Sequence, residues 1–251
     1  MKPLIPAACA GLALALPLAA TALPAAAQVT VTPYFWAAGM KGDVAPVPGL
    51  PTVETDSSFS DIVDELQLGL ASSFEIRNGL WAFVGDLSYV DTGQSADLKV
   101  PTSGFDSAGL DSKSLMSTLA ISYRVVDGDG ASLDLLGGAR INWADNDVRL
   151  MRPDSSSVKA NDNETWADPI IGAKGMVWLS PRWSLTGYGD VGGFGVSSDL
   201  TWQALASVNY HFSDGLALTA GYRYYAIDYD HDGFVFDVAE YGPLIGMSIT
   251  F

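Results

Sequence analysis

Beyond residue 27 this chain contains no cysteine; the single one, Cys9, lies in an Ala/Leu-rich run from Leu4 to Ala27. Everything downstream is therefore without a disulfide, a Cys-bound metal or a Cys nucleophile. Histidine is almost as scarce, with His211 and His231 alone. Positive charge is short too: 13 Lys and Arg stand against 29 Asp and Glu, a formal charge of −16. Such an excess of carboxylates argues against a surface that follows a phosphate backbone, so nucleic acid is not an expected partner. After residue 27 there is no run of about eighteen apolar residues, so no membrane-spanning helix is expected. Helical periodicity is also nearly absent, although 48% of the residues are apolar.

The chain begins with a short basic start, Met1-Lys2-Pro3, then an apolar stretch broken by Pro17 and Pro24, and Ala25-Ala26-Ala27 before Gln28. This pattern predicts a secretory signal peptide over 1–27, cleaved after Ala27, with one domain over 28–251. The proline breaks and the small-residue end disfavour an anchor. A lipoprotein signal would place Leu three residues before the cysteine, where Pro6 stands. Removing the leader takes away one charge, Lys2, and leaves about −17.

The remaining chain alternates. Leu70, Phe74 and Ile76 share a face against Ser73, Glu75 and Arg77. After Asn78-Gly79, Trp81, Phe83, Leu87 and Tyr89 oppose Ala82, Asp86 and Ser88. Leu115, Leu119, Ile121, Tyr123 and Val125 oppose Thr118, Ser122 and Arg124; Leu133, Leu135 and Ile141 oppose Asp134 and Arg140. Further on, Trp202, Ala204, Ala206, Val208 and Tyr210 oppose Gln203, Ser207 and Asn209, while Leu216, Leu218, Ala220, Tyr222 and Tyr224 oppose Thr219, Gly221 and Arg223. Period two with turn dipeptides between is the signature of β-hairpins. Segment 166–179 alternates poorly, because Trp166, Ile170, Met176 and Trp178 share a face with Asp168 and Lys174; 183–196 is rich in glycine. With an opening strand at 29–43, about ten strands are expected, or eight if the two irregular segments fail.

Turns at 78–79, 127–130, 180–182 and 213–215 are short, whereas the connections near 45–60, 95–111 and 147–163 are long and polar. That asymmetry belongs to outer-membrane β-barrels, with short periplasmic turns and longer external loops. Aromatics near strand ends (Trp81, Tyr89, Tyr123, Trp143, Tyr210, Phe212, Tyr222, Tyr241) fit interfacial girdles. A lipocalin-like soluble barrel has the same period with the faces inverted. The polar face here mixes Gly, Ala and Ser with charges of both signs, which suits a crowded barrel interior. The expected fold is all-β, a transmembrane antiparallel up-and-down barrel.

The final residues Tyr241-Gly-Pro-Leu-Ile-Gly-Met-Ser-Ile-Thr-Phe251 place Tyr241, Pro243, Ile245, Met247, Ile249 and Phe251 on one face, with Leu244 the exception. The ending resembles the closing strand of bacterial outer-membrane barrels. That resemblance implies an assembly signal in Tyr241, Ile249 and Phe251, read by the barrel-insertion machinery. Gly189-Asp-Val-Gly-Gly-Phe-Gly-Val-Ser-Ser-Asp-Leu-Thr-Trp202, with Gly221-Tyr-Arg-Tyr224, Gly242-Pro243, the opening Pro33-Tyr-Phe-Trp36, Gly39, Gly42 and Phe59-Ser-Asp-Ile62, is similar to a family of uncharacterised proteobacterial outer-membrane barrels, akin to small opacity-protein and OmpA-like barrels. The resemblance implies a location in the outer membrane, among lipid and lipopolysaccharide, and carries no catalytic residue.

Four sets of residues are candidates for chemistry. Glu75, Asp86, Asp134, Asp190 and Glu240 project to the same side as Arg124, Arg140, Lys174 and Arg223. In a narrow lumen they must pair, forming a salt-bridged plug; in a wider one they line an aqueous path and set ion preference. Asp228, Asp230 and Asp232 before Gly233 resemble half a calcium loop, which suggests a divalent cation there or an acidic hairpin tip. The twelfth position is Ala239 where the loop calls for Glu, with Glu240 one residue off. His231 among these aspartates is the one candidate base for a rim enzyme acting on lipid or peptide, while His211 lies beside a turn; no nucleophile motif accompanies either. The glycines at 187, 189, 192, 193 and 195 lie within a strand and are not a phosphate loop, and Trp178 or Tyr188 is expected over them. The expected function is non-enzymatic: a structural or surface-interaction barrel, or a narrow porin-like pore.

Overall fold

The computed structural model describes residues 27–48, 52–61, 66–97, 107–152, 154 and 156–251. Residues 1–26 of the expected signal peptide, Cys9 among them, and Ile62 lie outside the described residues. Alternation is converted into twelve strands: β1 (Gln28–Trp36), β2 (Gly39–Ala45), β3 (Val53–Ser57), β4 (Leu66–Asn78), β5 (Trp81–Asp97), β6 (Ser107–Asp127), β7 (Ala131–Met151), β8 (Ser157–Ser180), β9 (Trp183–Gly193), β10 (Leu200–Ser213), β11 (Leu216–His231) and β12 (Phe234–Thr250). Ten of them, β1 and β4 through β12, pair antiparallel in sequence order and close through β1 against β12. Closure leaves no edge around the barrel wall at that level, which is what a sheet in lipid requires. Along this seam Thr30 Oγ1 and Thr250 Oγ1 lie 2.9 Å apart, Thr32 donates to Ser248 at 2.8 Å, and the Phe251 N–H donates to the Val29 carbonyl at 2.9 Å.

The side chains sort as lipid solvation demands. Outward positions such as Phe83, Leu87, Ile121, Val125, Leu135, Ile171, Val177, Ile245 and Met247 are exposed, while Arg140 and Asp168 are fully buried inside. A water-soluble barrel does the reverse, and a continuous exposed apolar belt is tolerable only against lipid. The belt is bounded near the short turns by Trp81 against Tyr123 (ring centroids 4.8 Å) and Trp183 against Tyr210 (4.9 Å). Toward the other end runs an outer row of stacked rings, Trp202 on Tyr224 at 4.9 Å and Tyr224 on Tyr241 at 5.7 Å. Leu244, out of step in the closing strand, points inward and is buried.

Several boundaries differ from expectation, each for a physical reason. The segment 29–43 is two strands: at Ala37 the chain steps, with the Ala37 N–H on the Pro243 carbonyl at 2.8 Å, and β2 continues along β12 while β3 folds back on β2. The long polar connection near 147–163 is mostly strand, and that near 95–111 is strand at both of its described ends, since β5 to β8 extend in register up to Asp97–Ser107, Ser107–Met151 and Met151–Ser157. Their charged, polar alternation marks strands rising out of the apolar belt. The glycine-rich strand ends at Gly193, where Gly193, Phe194 and Gly195 all have positive φ (88°, 54° and 71°) and reverse the chain. The wall is consequently uneven, low at β9–β10 and tall at β5–β8.

Candidate functional site

Opposite walls of the barrel touch, and they do so in layers. At the short-turn end lies a cavity of about 760 Å³ whose mouth includes the turn residues Pro181, Arg182, Ser213 and Asp214. One half of its wall is neutral and hydrogen-bonded side chain to side chain: Thr219 donates to Asn209 at 2.8 Å, and Asn209 donates to Thr186 at 2.9 Å and to Ser184 at 3.2 Å. The other half is ionic. Arg77 spans from β4 to β7, donating to Glu75 at 2.7 Å and Asp134 at 2.9 Å; Arg124 also reaches Asp134 at 3.0 Å, and Lys174 crosses to Glu75 at 2.7 Å.

Above the cavity two buried cations cross the lumen. Arg140 donates to both oxygens of Asp190 (2.7 and 2.9 Å) and to Thr201 at 2.7 Å; Tyr188 and Gln203 donate to the same carboxylate at 2.6 and 2.7 Å. Arg223 donates to Asp86 and to the Tyr34 hydroxyl at 3.0 and 2.8 Å, and approaches Met116 on the opposite wall at 3.9 Å. Each guanidinium faces an aromatic ring, Arg223 over Trp36 at 4.8 Å and Arg140 over Tyr225 at 5.1 Å. Such contacts strengthen where water is excluded.

Above the cations the lumen is filled mainly by apolar and aromatic side chains. Met116, Ala144, Trp166, Tyr225, Ile227, Tyr229, Phe234 and Val238 form one buried cluster, with Trp36, Met40, Val44 and Phe236 packed against it. Trp166 stacks on Tyr229 at 4.2 Å with the planes 8° apart, and meets Phe236 across the barrel at 6.2 Å. The cluster draws on β1, β2, β6, β7, β8, β11 and β12, so side chains from facing walls meet in it.

The nine charged residues expected inside, Glu75, Asp86, Arg124, Asp134, Arg140, Lys174, Asp190, Arg223 and Glu240, all lie on inward rows, and each of the four cations named is bridged to a carboxylate. Glu240 sits opposite Tyr225 and Met40 and forms no ion pair among the described residues. Arg77, which alternation places on the polar face, is a further member, as are Tyr34 and Tyr188, which alternation did not assign to the lumen. Asp168, fully buried, accepts from the Ser198 backbone at 2.8 Å and its hydroxyl at 2.6 Å, so it fastens the β9–β10 turn. The aromatic plug went unanticipated, although the sequence carried its signal: Trp166 sharing a face with Asp168, and Tyr225, Ile227 and Tyr229 following Arg223 at alternate positions.

The calcium-loop spacing takes another form. β11 runs through Asp228 and Asp230 to His231, and the reversal is a two-residue turn at Asp232-Gly233, both with positive φ (49° and 91°), the pairing that suits a tight hairpin. Strand geometry aims Asp228 and Asp230 outward rather than around a central point, and among the described residues no group of three or more His, Asp or Glu is placed to hold a metal ion. His231 lies 3.5 Å from Asp232 with both exposed, and makes no hydrogen bond among the described residues. His211 instead contacts Ser184 at 2.9 Å and lies 4.3 Å from the Trp178 ring. Ser184 is fully buried, so this pair presents no accessible nucleophile. Tyr188 turns inward to Asp190, and neither it nor Trp178 covers Gly187, which has open space beside it.

The fold is that of an outer-membrane β-barrel. No protein-family model and no curated protein sequence matches the chain. Among solved structures, the chain is similar to a major outer membrane protein from Thermus thermophilus (13% identity, 90% of this chain and 100% of that one, TM-score 0.41). It is also similar to Ail, the attachment invasion locus protein of Yersinia pestis (13%, 90% and 99%, TM-score 0.38), and to Neisserial surface protein A (15%, 90% and 97%, TM-score 0.35).

Proposed function

We propose that this protein is a closed, non-enzymatic surface barrel of the outer membrane, with its short turns in the periplasm and the tall β5–β8 sheet outside the cell. One observation carries the reading. The lumen is crossed by an aromatic plug above a layer of buried cations, each already bridged to a carboxylate. A conducting path needs groups free to exchange with a passing ion, whereas Arg140 and Arg223 are held by the barrel itself. The 760 Å³ cavity is then a periplasmic vestibule that ends at the cations. What remains available for interaction is the external sheet. Planar-bilayer recordings of the refolded protein test this, with no discrete conductance as the expected result. Stable unitary conductance from the wild-type chain overturns it, and restores the narrow porin-like reading with its charge-lined lumen.

A further inference from the structure

The uneven wall leaves one long strand edge open. The last pair joining β8 to β9 on the external side is Ile170 with Gly192, yet β8 continues outward to Ser157. Among the described residues no strand pairs with the outer edge of β8 from Ser157 to Pro169. The direction of its backbone groups follows from one contact. Ser197 Oγ, on the β9 side, donates to the Ala167 carbonyl at 3.0 Å. In an antiparallel ladder both backbone groups of a residue point to one side, and the side alternates. The N–H and C=O groups of Lys159, Asn161, Asn163 and Thr165 therefore face the open edge, while the intervening residues bond to β7.

Natural sheets defend such an edge with charged side chains, lysine above all, with proline or a bulge, or by covering it; besides its two carboxylates, this edge has neither lysine nor proline nor a bulge in its middle. In Asn161-Asp162-Asn163-Glu164-Thr165 the only charges are Asp162 and Glu164; Lys159 and Pro169 stand at its ends. Its charges instead select. Asp162 and Glu164 flank the edge on the inward face; among the described residues Asp162 Oδ2 is buried without a hydrogen-bond partner, and Glu164 accepts a long bond from the Tyr229 hydroxyl at 3.5 Å. On the outward face β7 places Asp145 beside Asn163 and Asp147 beside Asn161. They belong to a cleft of about 260 Å³ with Asp91, Asp111 and the single cation Lys113.

We propose that the free edge of β8 takes up a basic peptide segment in extended conformation as an added strand. Backbone bonds to Lys159, Asn161, Asn163 and Thr165 set its register, and Lys or Arg at alternate positions meet Asp162 and Glu164. The proposal rests on the reading that this end lies outside the cell. From Lys159 to Thr165 the edge is roughly 20 Å long, enough for six or so residues of a partner. An acidic partner is repelled, and a second copy of this chain brings the same carboxylates.

The test uses the refolded full-length chain in phosphatidylcholine vesicles and a fluorescent octapeptide of alternating lysine and threonine, read by anisotropy at about 0.15 M salt. Saturable binding is expected. N-methylation of the peptide at alternate backbone nitrogens should weaken it by about tenfold or more, as should Asn163→Pro, which removes an edge donor without breaking the β7–β8 ladder. Asp162→Asn and Glu164→Gln should each weaken it several-fold. No saturable binding, or equal binding of the N-methylated peptide, overturns the proposal, the second result showing attraction by charge alone. Bilayer recordings on the same preparation report the closed lumen separately, so failure of one reading is told apart from failure of the other.

Discussion

Replacing Asp190 with alanine isolates the most enclosed interaction in the barrel. The carboxylate accepts from Arg140, Tyr188 and Gln203, and the side chains of Arg140 and Asp190 are both wholly inaccessible. Its loss leaves the Arg140 guanidinium, wholly inaccessible, with Thr201 as its remaining hydrogen-bond partner among the described residues. Removing one partner of a buried pair costs about 3–5 kcal/mol, most of it the penalty of the stranded charge. Glu75→Ala is the internal comparison. Its partner Lys174 has a side chain 38% exposed to the vestibule, and Arg77 keeps Asp134, so the loss should be about 1 kcal/mol or less. The assay is urea unfolding of the refolded barrel in detergent micelles, followed by tryptophan fluorescence. Asp190→Ala should lower stability by about 2–4 kcal/mol more than Glu75→Ala, and Arg140→Met combined with Asp190→Leu should recover much of the deficit, since an apolar replacement strands no charge. Equal losses from the two single variants would show that the mid-lumen is wet, and refute the layered interior.

Trp166→Ala opens a cavity beneath Tyr229 and Phe234 and should cost about 3–5 kcal/mol in the same unfolding assay, whereas an outward tryptophan such as Trp81→Ala should cost clearly less. Gly138→Val drives a side chain into the Leu119 backbone and should lower stability by about 2 kcal/mol or more; Gly187→Val, with open space beside it, should be neutral or mildly stabilising. Above the outer aromatic row, partial burial first and then the carboxylates of Asp237, Asp199 and Asp230 hold the Asp228 carboxyl above its ordinary range. A raised folded pKa means that the native hairpin binds the proton more tightly than the unfolded chain does, so stability rises as pH falls through that value. Hydrogen exchange of the β11–β12 tip should therefore slow from about pH 7 to about pH 4.5 after correction for intrinsic rates, and Asp228→Asn should diminish the change. Unchanged protection across that range would count against the repulsion.

The pairing of ten strands was legible because the outward rows are predominantly apolar, broken only by small residues such as Gly85: Phe83 and Leu87, Ile121 and Val125, Ile245, Met247 and Ile249 had one tolerable environment. Inward rows obey a weaker rule. The lumen accepts charge, hydroxyl, glycine or aromatic ring so long as another part of the wall complements it, and that complement lies anywhere from one to five strands away in the sheet. Hence Arg223 was readable as inward, but not that it ends between Asp86, Trp36 and Met116. Trp166 and Trp178 were puzzling for the same reason, since an aromatic inside a barrel breaks the alternation that reveals the strand. The step at Ala37 and the extension of β5–β8 beyond the belt were hidden because polar strand and polar loop share a composition, and the register of their partners decides between them.

The β1–β12 seam has a consequence for how the barrel comes into being. Every other wall contact from β4 to β12 joins a strand to its immediate successor, and each such hairpin closes a short stretch of chain. At the seam, Thr30 and Thr250 lie 220 residues apart. Because closure entropy grows with the logarithm of the enclosed length, closing this seam from an unpaired chain costs about 3–4 kcal/mol more than closing a short hairpin, so the hairpins are expected to pair before it. A sheet grown hairpin by hairpin therefore waits with two unsatisfied edges, and the seam is where an unfinished barrel and an opening one have the same shape.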